Sequence, residues 1–406
     1  MNRQYLRDLA DIQTGPFGSQ LHKEDYVDMG TPIVTVEHLG NRVFTEQNLP
    51  RVSDEDKARL SKFILAEGDM VFSRVGSVDR CSYVDAAHDG WMFSGRCLRV
   101  RPNSEIDPLF LYYFFCLEET KQFVRNIAVG ATMPSINTKL LGEVEITYPP
   151  LADQKNITGI LLALDNKIEV NQKINDNLQQ QLATIYKSWY QEFSRISNEE
   201  LVETEYGMIP KGWHYTLLGD LCQSISVTHK FDKEELIFLN TGDVEDGRFL
   251  HSDFMAVKDM PGQAKKTIAP GDILYSEIRP INRHFAFVNF PSVDYVVSTK
   301  LMVIRAKSFD AIRLYHYLTS DSVLSELQLQ AESRSGTFPQ IRFDNISRMP
   351  ILIADEKTES DFIELLHTVY AQIEHINSEN KKLSKLRDNL LPKLMSGEID
   401  VSNIEI

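Results

Sequence analysis

The chain has 406 residues, more than one ordinary hydrophobic core holds, so at least two domains are expected. Its hydrophobic and charged contents, 42% and 25%, are typical of soluble globular proteins. Its formal net charge of −15 disfavours nucleic-acid binding by the chain as a whole, although a local basic patch or a basic partner subunit can supply the field that phosphates need.

Targeting and cysteine patterns predict a cytoplasmic protein without a membrane segment. No apolar run approaches the roughly 18–20 residues of a membrane helix, and the first residues lack the apolar stretch of a signal peptide. The four cysteines are scattered without the paired spacing of a metal site. We therefore expect reduced, buried thiols and no bound metal.

Residues 1–150 are predicted to form a first mixed domain. Short apolar strands are indicated at 32–36 and 69–73, and helical spacing of large apolar residues indicates a helix over 108–125. The sequence Tyr-Pro-Pro at 148–150 then ends regular structure, because proline moves the preceding residue out of the helical region.

A long helix is predicted over residues 151–195, with Asp153 as an N-cap residue. A polar linker containing Pro210 and Gly212 leads into a second domain, and together they occupy residues 196–350. A second long helix and the tail occupy residues 351–406, and Gly397 is placed to terminate that helix.

Both long segments carry heptad-like apolar spacing, with steps of four and three residues. The apolar positions are Ile157, Leu161, Leu164, Ile168, Leu178, Leu182, Ile185 and Trp189 in the first segment, and Phe362, Leu366, Val369, Ile373, Ile376, Leu383, Leu390 and Leu394 in the second. Such narrow apolar stripes need a partner helix, and the nearest one is the other copy. Because each helix follows a globular block, antiparallel pairing is expected.

Three asparagines, Asn171, Asn175 and Asn380, fall in the predicted seam, where a polar residue costs stability but can fix register. The repeat alignment matches Asn175 with Asn380, so we expect these two side chains to approach each other. The alternative is a solvated gap in an imperfect seam.

The two globular blocks repeat in sequence as well as in pattern. Gly-Asp-Met-Val-Phe-Ser at 68–73 recurs as Gly-Asp-Ile-Leu-Tyr-Ser at 271–276, and Arg80 and Arg283 follow those strands. Thr-Met-Pro at 132–134 recurs as Thr-Phe-Pro at 337–339, and Ala-Asp-Gln-Lys at 152–155 as Ala-Asp-Glu-Lys at 354–357. The nearly constant offset indicates an internal duplication.

Catalytic signatures are absent from the sequence. It has no phosphate-binding loop, dinucleotide fingerprint or metal-ligand motif, so no cofactor and no catalytic residue is predicted. The segment Tyr-Pro-Pro-Leu at 148–151 only faintly resembles the catalytic motif of DNA amino-methyltransferases, since it lacks the polar first residue and the aromatic last residue. A non-enzymatic role is therefore expected.

The recurring loops supply the candidate binding residues. Arginine offers a planar fork for guanine edges and a charge for phosphates, and polar loops offer hydroxyl and N–H groups to phosphate. The candidate DNA contacts are Ser73, Arg74, Ser77, Arg80, Thr132 and Ser135 in the first block, and Ser276, Arg279, Arg283, Arg334, Thr337 and Gln340 in the second. For any single position, an ordinary surface loop is the alternative.

In these motifs and their order, nearly the whole chain resembles the specificity subunit of type I restriction–modification systems. The resemblance lies in Gly-Asp-Met-Val-Phe-Ser-Arg from Gly68, the loop 130–136, and Pro-Pro-Leu-Ala-Asp-Gln-Lys-Asn-Ile over 149–157. Gly-Met-Ile-Pro-Lys-Gly-Trp at 207–213 resembles the entry to that family's second recognition domain. Leu-Leu-Pro-Lys-Leu-Met-Ser-Gly-Glu-Ile at 390–399 resembles the end of its C-terminal helix.

The resemblance implies an α+β fold with two target recognition domains, each a mixed α/β unit, separated by two long helices in an antiparallel coiled coil with pseudo-two-fold internal duplication. It implies a non-catalytic subunit whose domains each recognise one half of a bipartite double-stranded DNA site. The helices would set the half-site spacing and dock methyltransferase (M) subunits, one per half, through which restriction (R) subunits join.

The second copy departs from the family pattern. Its helix entry lacks Pro-Pro-Leu, and Glu277 stands where the first copy has Arg74. These departures leave open the DNA role of the second strand-end loop. Two other classes remain: a coiled-coil scaffold carrying two protein-binding modules, which the net charge favours, and an autonomous DNA methyltransferase, for which the sequence offers no cofactor site.

Overall fold

The computed structural model describes residues 1–16, 18, 20–40, 42–130, 132–196, 200–334 and 339–402. By its internal contacts the chain forms two compact units. Unit 1 comprises Met1–Gln172 together with Ser378–Ile406, and unit 2 comprises Lys173–Asn377. Among the described helices, none combines the length and apolar character that crossing a membrane requires.

The first part of the chain alternates short strands with short helices and ends in one long helix. The strands are β1 (Asn2–Tyr5), β2 (Ala10–Thr14), β3 (Tyr26–Val27), β4 (Thr31–Val34), β5 (Arg51–Val52), β6 (Met70–Ser73), β7 (Cys81–Tyr83), β8 (Met92–Phe93), β9 (Cys97–Pro102) and β10 (Glu145–Tyr148). The helices are α1 (Leu6–Leu9), α2 (Asp54–Arg59), α3 (Pro108–Cys116), α4 (Glu118–Ile127), α5 (Thr138–Gly142) and α6 (Leu151–Tyr190).

The second part of the chain repeats this alternation. Its strands are β11 (Leu201–Thr204), β12 (Gly207–Pro210), β13 (His214–Leu217), β14 (Cys222–Ile225), β15 (Glu235–Leu239), β16 (Val244–Glu245), β17 (Arg248–Phe249), β18 (Met255–Ala256), β19 (Ala264–Thr267), β20 (Asp272–Ser276), β21 (Phe285–Phe287), β22 (Tyr295–Ser298), β23 (Leu301–Ala306) and β24 (Pro350–Ile353). Its helices are α7 (Leu218–Leu221), α8 (Ala311–Leu318), α9 (Asp321–Arg334), α10 (Phe343–Ser347) and α11 (Glu356–Ser396).

One sheet recurs completely in the two units, and a second recurs in three of its four strands. One four-stranded sheet has the order β2-β9-β6-β7 in unit 1 and β14-β23-β20-β21 in unit 2. A second has the order β3-β5-β4-β8 in unit 1 and β18-β15-β22-β19 in unit 2, and each contains one parallel pair, β4 with β8 or β15 with β22. This correspondence confirms the predicted internal duplication of a mixed α/β module.

The repeated Gly-Asp sequence forms the same turn before β6 and before β20. Gly68 and Gly271 have φ of 91° and 90°, a left-handed conformation in which glycine has no steric penalty. The buried Asp69 carboxylate accepts two hydrogen bonds from Arg101, and Asp272 accepts two from Arg305, all at 2.6–2.8 Å. A bidentate pair of this kind fixes the turn against the neighbouring strand.

Each unit buries its own apolar core between sheet and helices. In unit 1 the core joins α1, β6, β9 and α3, and it includes Phe72 and Phe110. Leu394 and Met395 near the end of α11 pack against it. In unit 2 the matching core joins β20, β23, α8 and α9 and includes Tyr275 and Leu327.

Sections of α6 and α11 pack against each other in antiparallel orientation within each unit. In unit 1 Asp165 of α6 pairs with Arg387 of α11 at 2.7 Å, and Asn171 with Asn380 at 2.7 Å. In unit 2 Tyr190 of α6 donates to Glu359 of α11 at 2.7 Å, so residue numbers rise along one helix as they fall along the other. The predicted antiparallel pairing is confirmed.

The match between the two helix starts differs from the sequence alignment. Tyr148 and Ile353 end the equivalent strands β10 and β24, and Leu151 and Glu356 then begin the helices. Gln154 is therefore matched by Glu359, each three residues after the first residue of its helix. The two Ala-Asp sequences that look alike do not occupy equivalent positions in the two helices. Asp355 caps α11 by accepting from the Thr358 amide at 3.1 Å, and Gly397 ends it with φ of 77°.

The four cysteines are free thiols. Burial raises the pKa of Cys97 to about 12 and that of Cys222 to about 11, so both thiols are protonated near neutral pH. Cys81 is also buried, whereas Cys116 is half-buried. The sequence predicted reduced thiols, and the structure has no disulfide among these four cysteines.

Candidate nucleic-acid interface

The two recurring loops of each block form one paired surface. In unit 1 the strand-end loop comprises residues 73–80. Its Arg74 carbonyl accepts a hydrogen bond from the Ile136 amide at 2.9 Å, and its Gly76 amide donates to the Pro134 carbonyl at 2.8 Å. These bonds join it to the partner loop, residues 130–136. In unit 2 the Ile341 amide donates to the Glu277 carbonyl at 2.8 Å, and the Arg279 amide to the Pro339 carbonyl at 3.2 Å.

Two of the predicted contact residues shape these loops from inside. Ser73 is buried, and its hydroxyl donates to the Val75 carbonyl at 2.7 Å. Ser276 is buried too, and its hydroxyl donates to the Ile278 carbonyl at 3.1 Å. Such bonds of a hydroxyl to a carbonyl two residues on stabilise a tight turn. Both serines therefore position the exposed residues that follow them.

The remaining predicted residues of unit 1 lie at or near the surface. Ser77, Arg80 and Thr132 are exposed, whereas Arg74 and Ser135 are half-buried. The Ser135 hydroxyl donates to the Val129 carbonyl at 3.1 Å, and Arg74 Nη1 donates to the Gly95 carbonyl at 3.2 Å. Arg80 Nη2 donates to the Leu39 carbonyl, which holds its guanidinium against the segment before β5.

The predicted residues of unit 2 are disposed differently. Arg279 and Gln340 are exposed, and Arg279 has φ of 43°, a left-handed conformation that is uncommon for residues other than glycine. Arg283 also has positive φ, 58°, and pairs with Asp246 and Asp321, each at 2.8 Å. Arg334 ends α9, whereas its side chain and Thr337 lie outside the described residues.

The predicted equivalence of Arg80 and Arg283 is wrong. Phe72 pairs with Cys81 in one ladder and Tyr275 with Phe285 in the other, so Arg80 is matched by His284. The Ser73 amide accordingly donates to the Arg80 carbonyl and the Ser276 amide to that of His284, each at 2.9 Å. The second loop is one residue longer, which the ungapped comparison of short motifs did not register.

A third segment, the turn between β8 and β9, belongs to the same surface and was missed from the sequence. The Arg74 amide donates to the Arg96 carbonyl at 2.8 Å, and the Glu277 amide to the Lys300 carbonyl at 3.0 Å. Ser-Gly-Arg at 94–96 thus recurs as Ser-Thr-Lys at 298–300. A cation in the same place of both copies was the signal that could have found it.

The two copies of this surface differ in charge. Unit 1 places two arginines, Arg74 and Arg96, on neighbouring backbone segments. Unit 2 has Glu277 and Lys300 at those places, and their side chains form an ion pair at 3.5 Å. At these two positions unit 1 therefore carries two cations and unit 2 a neutralised pair, so this part of the surface is the more attractive one for phosphates in unit 1.

A cleft of about 540 Å³ opens beside the turn between β8 and β9 in unit 1. The turn supplies Ser94 and Arg96, the start of the 3₁₀ turn at Val36–His38 supplies Thr35 and Glu37, and Tyr26 also lines the cleft. Arg96 and Glu37 are both exposed, so a guanidinium and a carboxylate line the same opening. This arrangement can hydrogen-bond to a ligand that presents both acceptors and donors.

The three seam asparagines are all inside the helix pair, with different partners from those predicted. Asn171 is 1% exposed and its amide donates to Asn380 Oδ1 and Glu379 Oε2, each at 2.7 Å. Asn175 is 8% exposed and donates to Asn377 Oδ1 at 2.9 Å. Asn380, which Asn175 was expected to approach, thus bonds Asn171, whereas Asn175 bonds Asn377.

The chain contains two copies of one mixed module. Each copy packs on an antiparallel helix pair and carries the same three-segment polar surface. These features define a class of duplicated two-module binding proteins. The family model for the type I restriction modification DNA specificity domain matches residues 3–180 and again 210–385. The chain therefore belongs to this family.

Known relatives agree with that assignment. The HindI type I restriction enzyme specificity subunit of Haemophilus influenzae is 40% identical over 181 residues, which cover 44% of this chain and 39% of the relative. The MjaIX specificity subunit of Methanocaldococcus jannaschii is 23% identical over 98% of this chain and 93% of its own length. The solved S subunit from M. genitalium has the same fold, with a TM-score of 0.56 and 15% identity over 97% of this chain and 95% of that one.

Proposed function

We propose that the chain is the sequence-specific DNA recognition subunit of a type I restriction–modification complex, and that each unit recognises one half of a bipartite double-stranded site. The observation that carries the proposal is the recurrence of one three-segment polar surface in both units, with the same backbone bonds between its segments. A binding protein with two copies of one surface is suited to a target with two half-sites.

The proposed DNA contacts are residues of these surfaces that are exposed or half-buried. In unit 1 they are the exposed Ser77 and Thr132 with the half-buried Arg74 and Ser135, and in unit 2 the exposed Arg279 and Gln340. Ser73 and Ser276 hold the loops in shape, as their internal hydrogen bonds indicate. Arg80 and Arg283 have protein partners, and we propose that they brace the loops; a direct role would require those bonds to be exchanged for phosphate.

We propose that the long helices set the half-site spacing and dock methyltransferase subunits, through which restriction subunits join. A helix of 40 residues such as α6 is about 60 Å long. The seam asparagines would fix its register, since each bonds a polar residue of the facing helix. Methylation and cleavage are assigned to the partner subunits, which accords with the lack of catalytic motifs in this sequence.

The net charge of −15 makes the salt dependence of binding the decisive measurement. The full chain with its methyltransferase subunit should bind a duplex carrying the target, and the logarithm of affinity should fall linearly with the logarithm of salt concentration. Footprinting should reveal two protected half-sites. Binding without salt dependence, or no duplex binding with the partner present, would favour a protein-binding scaffold.

Single-residue variants test whether the units act separately. Arg74→Ala should weaken binding to duplexes with only the half-site of unit 1, and Arg279→Ala to duplexes with only that of unit 2. Arg3→Ala is a matched control, because Arg3 is exposed on β1 and its ion pair with Glu145 is exposed as well. Equal losses at both half-sites from either variant would argue against independent recognition.

A further inference from the structure

The cleft beside the β8–β9 turn in unit 1 is lined by two side chains of opposite charge. Its opening carries the Arg96 guanidinium and the Glu37 carboxylate, and its wall includes Leu21 and Tyr26. The cleft has a volume of about 540 Å³ and lies within a single unit. Two opposite charges on one rim would ordinarily be expected to pair with each other or with neighbours.

Within the described part of the chain, neither charge takes part in an ion pair. Among the residues that the structure describes, no carboxylate lies within ion-pair distance of Arg96 and no cation within ion-pair distance of Glu37. Glu37 Oε1 accepts a hydrogen bond from the Thr35 hydroxyl at 3.1 Å, which orients the carboxylate, and Glu37 is exposed. Both groups therefore keep hydrogen-bonding capacity for a ligand.

The cleft is continuous with the surface assigned to DNA. Arg74 binds this turn twice, through its amide to the Arg96 carbonyl at 2.8 Å and through Nη1 to the Gly95 carbonyl at 3.2 Å. A duplex on the strand-end loop would thus lie beside Arg96. The turn is short, and each strand that it joins is paired with another strand, β8 with β4 and β9 with β6.

We infer that Arg96 and Glu37 recognise a single G·C base pair in the half-site of unit 1, an assignment that rests on the proposed function. In the major groove guanine presents two acceptors, N7 and O6, which match the arginine fork, and cytosine presents the N4 amino donor, which matches a carboxylate. With adenine in place of guanine, the N6 donor replaces the O6 acceptor and thymine has no donor for the carboxylate, and the reversed T·A pair has a methyl group in place of the N7 acceptor, so neither satisfies both groups fully.

Unit 2 lacks this pair of groups. The 3₁₀ turn at Thr241–Asp243, capped by Asn240, matches the one capped by Thr35, and it places Gly242 where unit 1 has Glu37. Lys300 replaces Arg96 and is paired with Glu277. The two half-sites should consequently differ, with the G·C requirement confined to that of unit 1.

The test is selection of bound duplexes from a randomised library by the full chain with its methyltransferase subunit, followed by affinity measurements on each single base-pair change. Arg96→Lys keeps the charge but loses the fork. It should reduce the preference for G·C at one position of one half-site by about tenfold to a hundredfold, as expected for loss of a bidentate contact. Glu37→Ala should relax the same position by less.

Lys300→Ala is the matched control and should leave that position unchanged. If Arg96→Lys weakens binding to all sequences equally, or leaves every preference intact, the cleft assignment is overturned while the proposed function stands. If the wild-type complex selects no bipartite sequence at all, the proposed function itself fails. Circular dichroism of each variant establishes that it is folded.

Discussion

The junction between module and long helix is built differently in the two units. In unit 1 the buried Gln154 accepts the Asp107 amide at 2.7 Å and donates to the Pro149 carbonyl at 2.9 Å. In unit 2 the matched Glu359 accepts Arg313 Nε at 2.9 Å and the Tyr190 hydroxyl at 2.7 Å. A neutral amide thus joins helix and module in one unit, and a buried ion pair does so in the other.

The framework around these groups is nevertheless the same. Asp107 caps α3 by accepting the Phe110 amide at 2.9 Å, and Asp310 caps α8 by accepting the Arg313 amide at 2.8 Å. Phe110 and Arg313 therefore occupy matched positions, and both are fully buried. The comparison teaches that duplication has kept the backbone and its caps while the buried charges have diverged.

Aromatic rings surround the buried Arg313 guanidinium at the junction of unit 2 and lower the cost of burying its charge. The Arg313 guanidinium lies 4.7 Å from the centroid of the Tyr190 ring and 5.3–5.4 Å from those of Phe362 and Tyr186. Ring faces attract a cation, which offsets part of its lost hydration. Since a buried ion pair is costly when it loses one partner, unit 2 should be the more sensitive to mutation at this place.

The largest expected effect is that of Arg313→Ala. It leaves the Glu359 carboxylate buried without its cation, and should lower the free energy of unfolding of unit 2 by about 3–5 kcal/mol. Hydrogen–deuterium exchange in graded urea, followed on peptides of α8, measures it. The double variant Arg313→Phe with Glu359→Gln installs the residues of unit 1 and should recover most of the loss. Undiminished protection in Arg313→Ala would show that the ion pair is not what holds this junction.

The corresponding test in unit 1 is Arg387→Ala. Asp165 is 6% exposed and accepts bonds from Arg387 Nη1 and the Tyr113 hydroxyl, each at 2.7 Å. Losing the charged donor should cost unit 1 about 1.5–3 kcal/mol, less than the loss in unit 2 because the tyrosine bond remains. Exchange of α3 peptides reports it, and Lys393→Ala, which breaks an exposed pair, is the control. An effect exceeding that of Arg313→Ala would reverse the comparison.

Acid should distinguish the units further, because His316 in unit 2 takes the place of Tyr113. Burial, and secondarily the Arg313 charge, lowers the pKa of His316 from 6.5 to about 3. Its Nδ1 faces the Tyr370 hydroxyl at 3.4 Å, and the Tyr186 ring packs against it. The unfolded chain binds a proton below pH 6.5 and the folded unit does not, so the stability contributed above that pH is lost as the pH falls toward 3.

At pH 5 the loss attributable to His316 should be about 2 kcal/mol. The measurement is the difference in exchange protection of α8 peptides between pH 7 and pH 5, compared between the wild type and His316→Tyr. The variant should lose that part of the acid sensitivity, since a tyrosine stays neutral across this range. The same slope in both proteins would place the acid sensitivity elsewhere.

The heptads, the duplication and the end of α11 could be predicted because they rest on local periodicity and capping, whereas α6 begins at Leu151 and the predicted N-cap, Asp153, lies inside its first turn. Leu161 and Phe362, placed in the seam by spacing alone, are fully buried, and Gly397 ends α11. The partner of Asn175 could not be predicted, since the alignment of two antiparallel helices along each other depends on tertiary packing and not on the local sequence. The single extra residue in the second loop likewise could not be predicted, and it made His284, not Arg283, the equivalent of Arg80.

The candidate surface could be predicted only in part. Arg74 and Arg279 were found because motifs recur around them. Arg96 and Glu37 were missed because they are distant in sequence and are brought to one cleft by the pairing of β4 with β8. The inward hydrogen bonds of Ser73 and Ser276 were equally invisible, since a loop sequence does not say which side of the turn a hydroxyl occupies.

The smallest expected effect concerns backbone strain at Arg279. Gly76 takes the matched place in unit 1 with φ of 75°, and Arg279 holds φ of 43° with a side chain that fits this region poorly. Strained conformations of this kind cluster at functional sites. Arg279→Gly should therefore leave the free energy of unfolding of unit 2 unchanged or raise it by up to about 1 kcal/mol, while weakening DNA binding at one half-site.

Opposite changes in stability and affinity are the signature of a residue kept for its ligand. Urea unfolding followed by exchange on α9 peptides gives the first quantity, and titration with duplexes containing one half-site gives the second. Arg279→Asn separates the causes, since asparagine tolerates the left-handed region but carries no charge. If both variants keep full affinity, the strained backbone has no role in DNA recognition. The positive φ of Gly76 and Arg279 then reflects only the same turn in the two units.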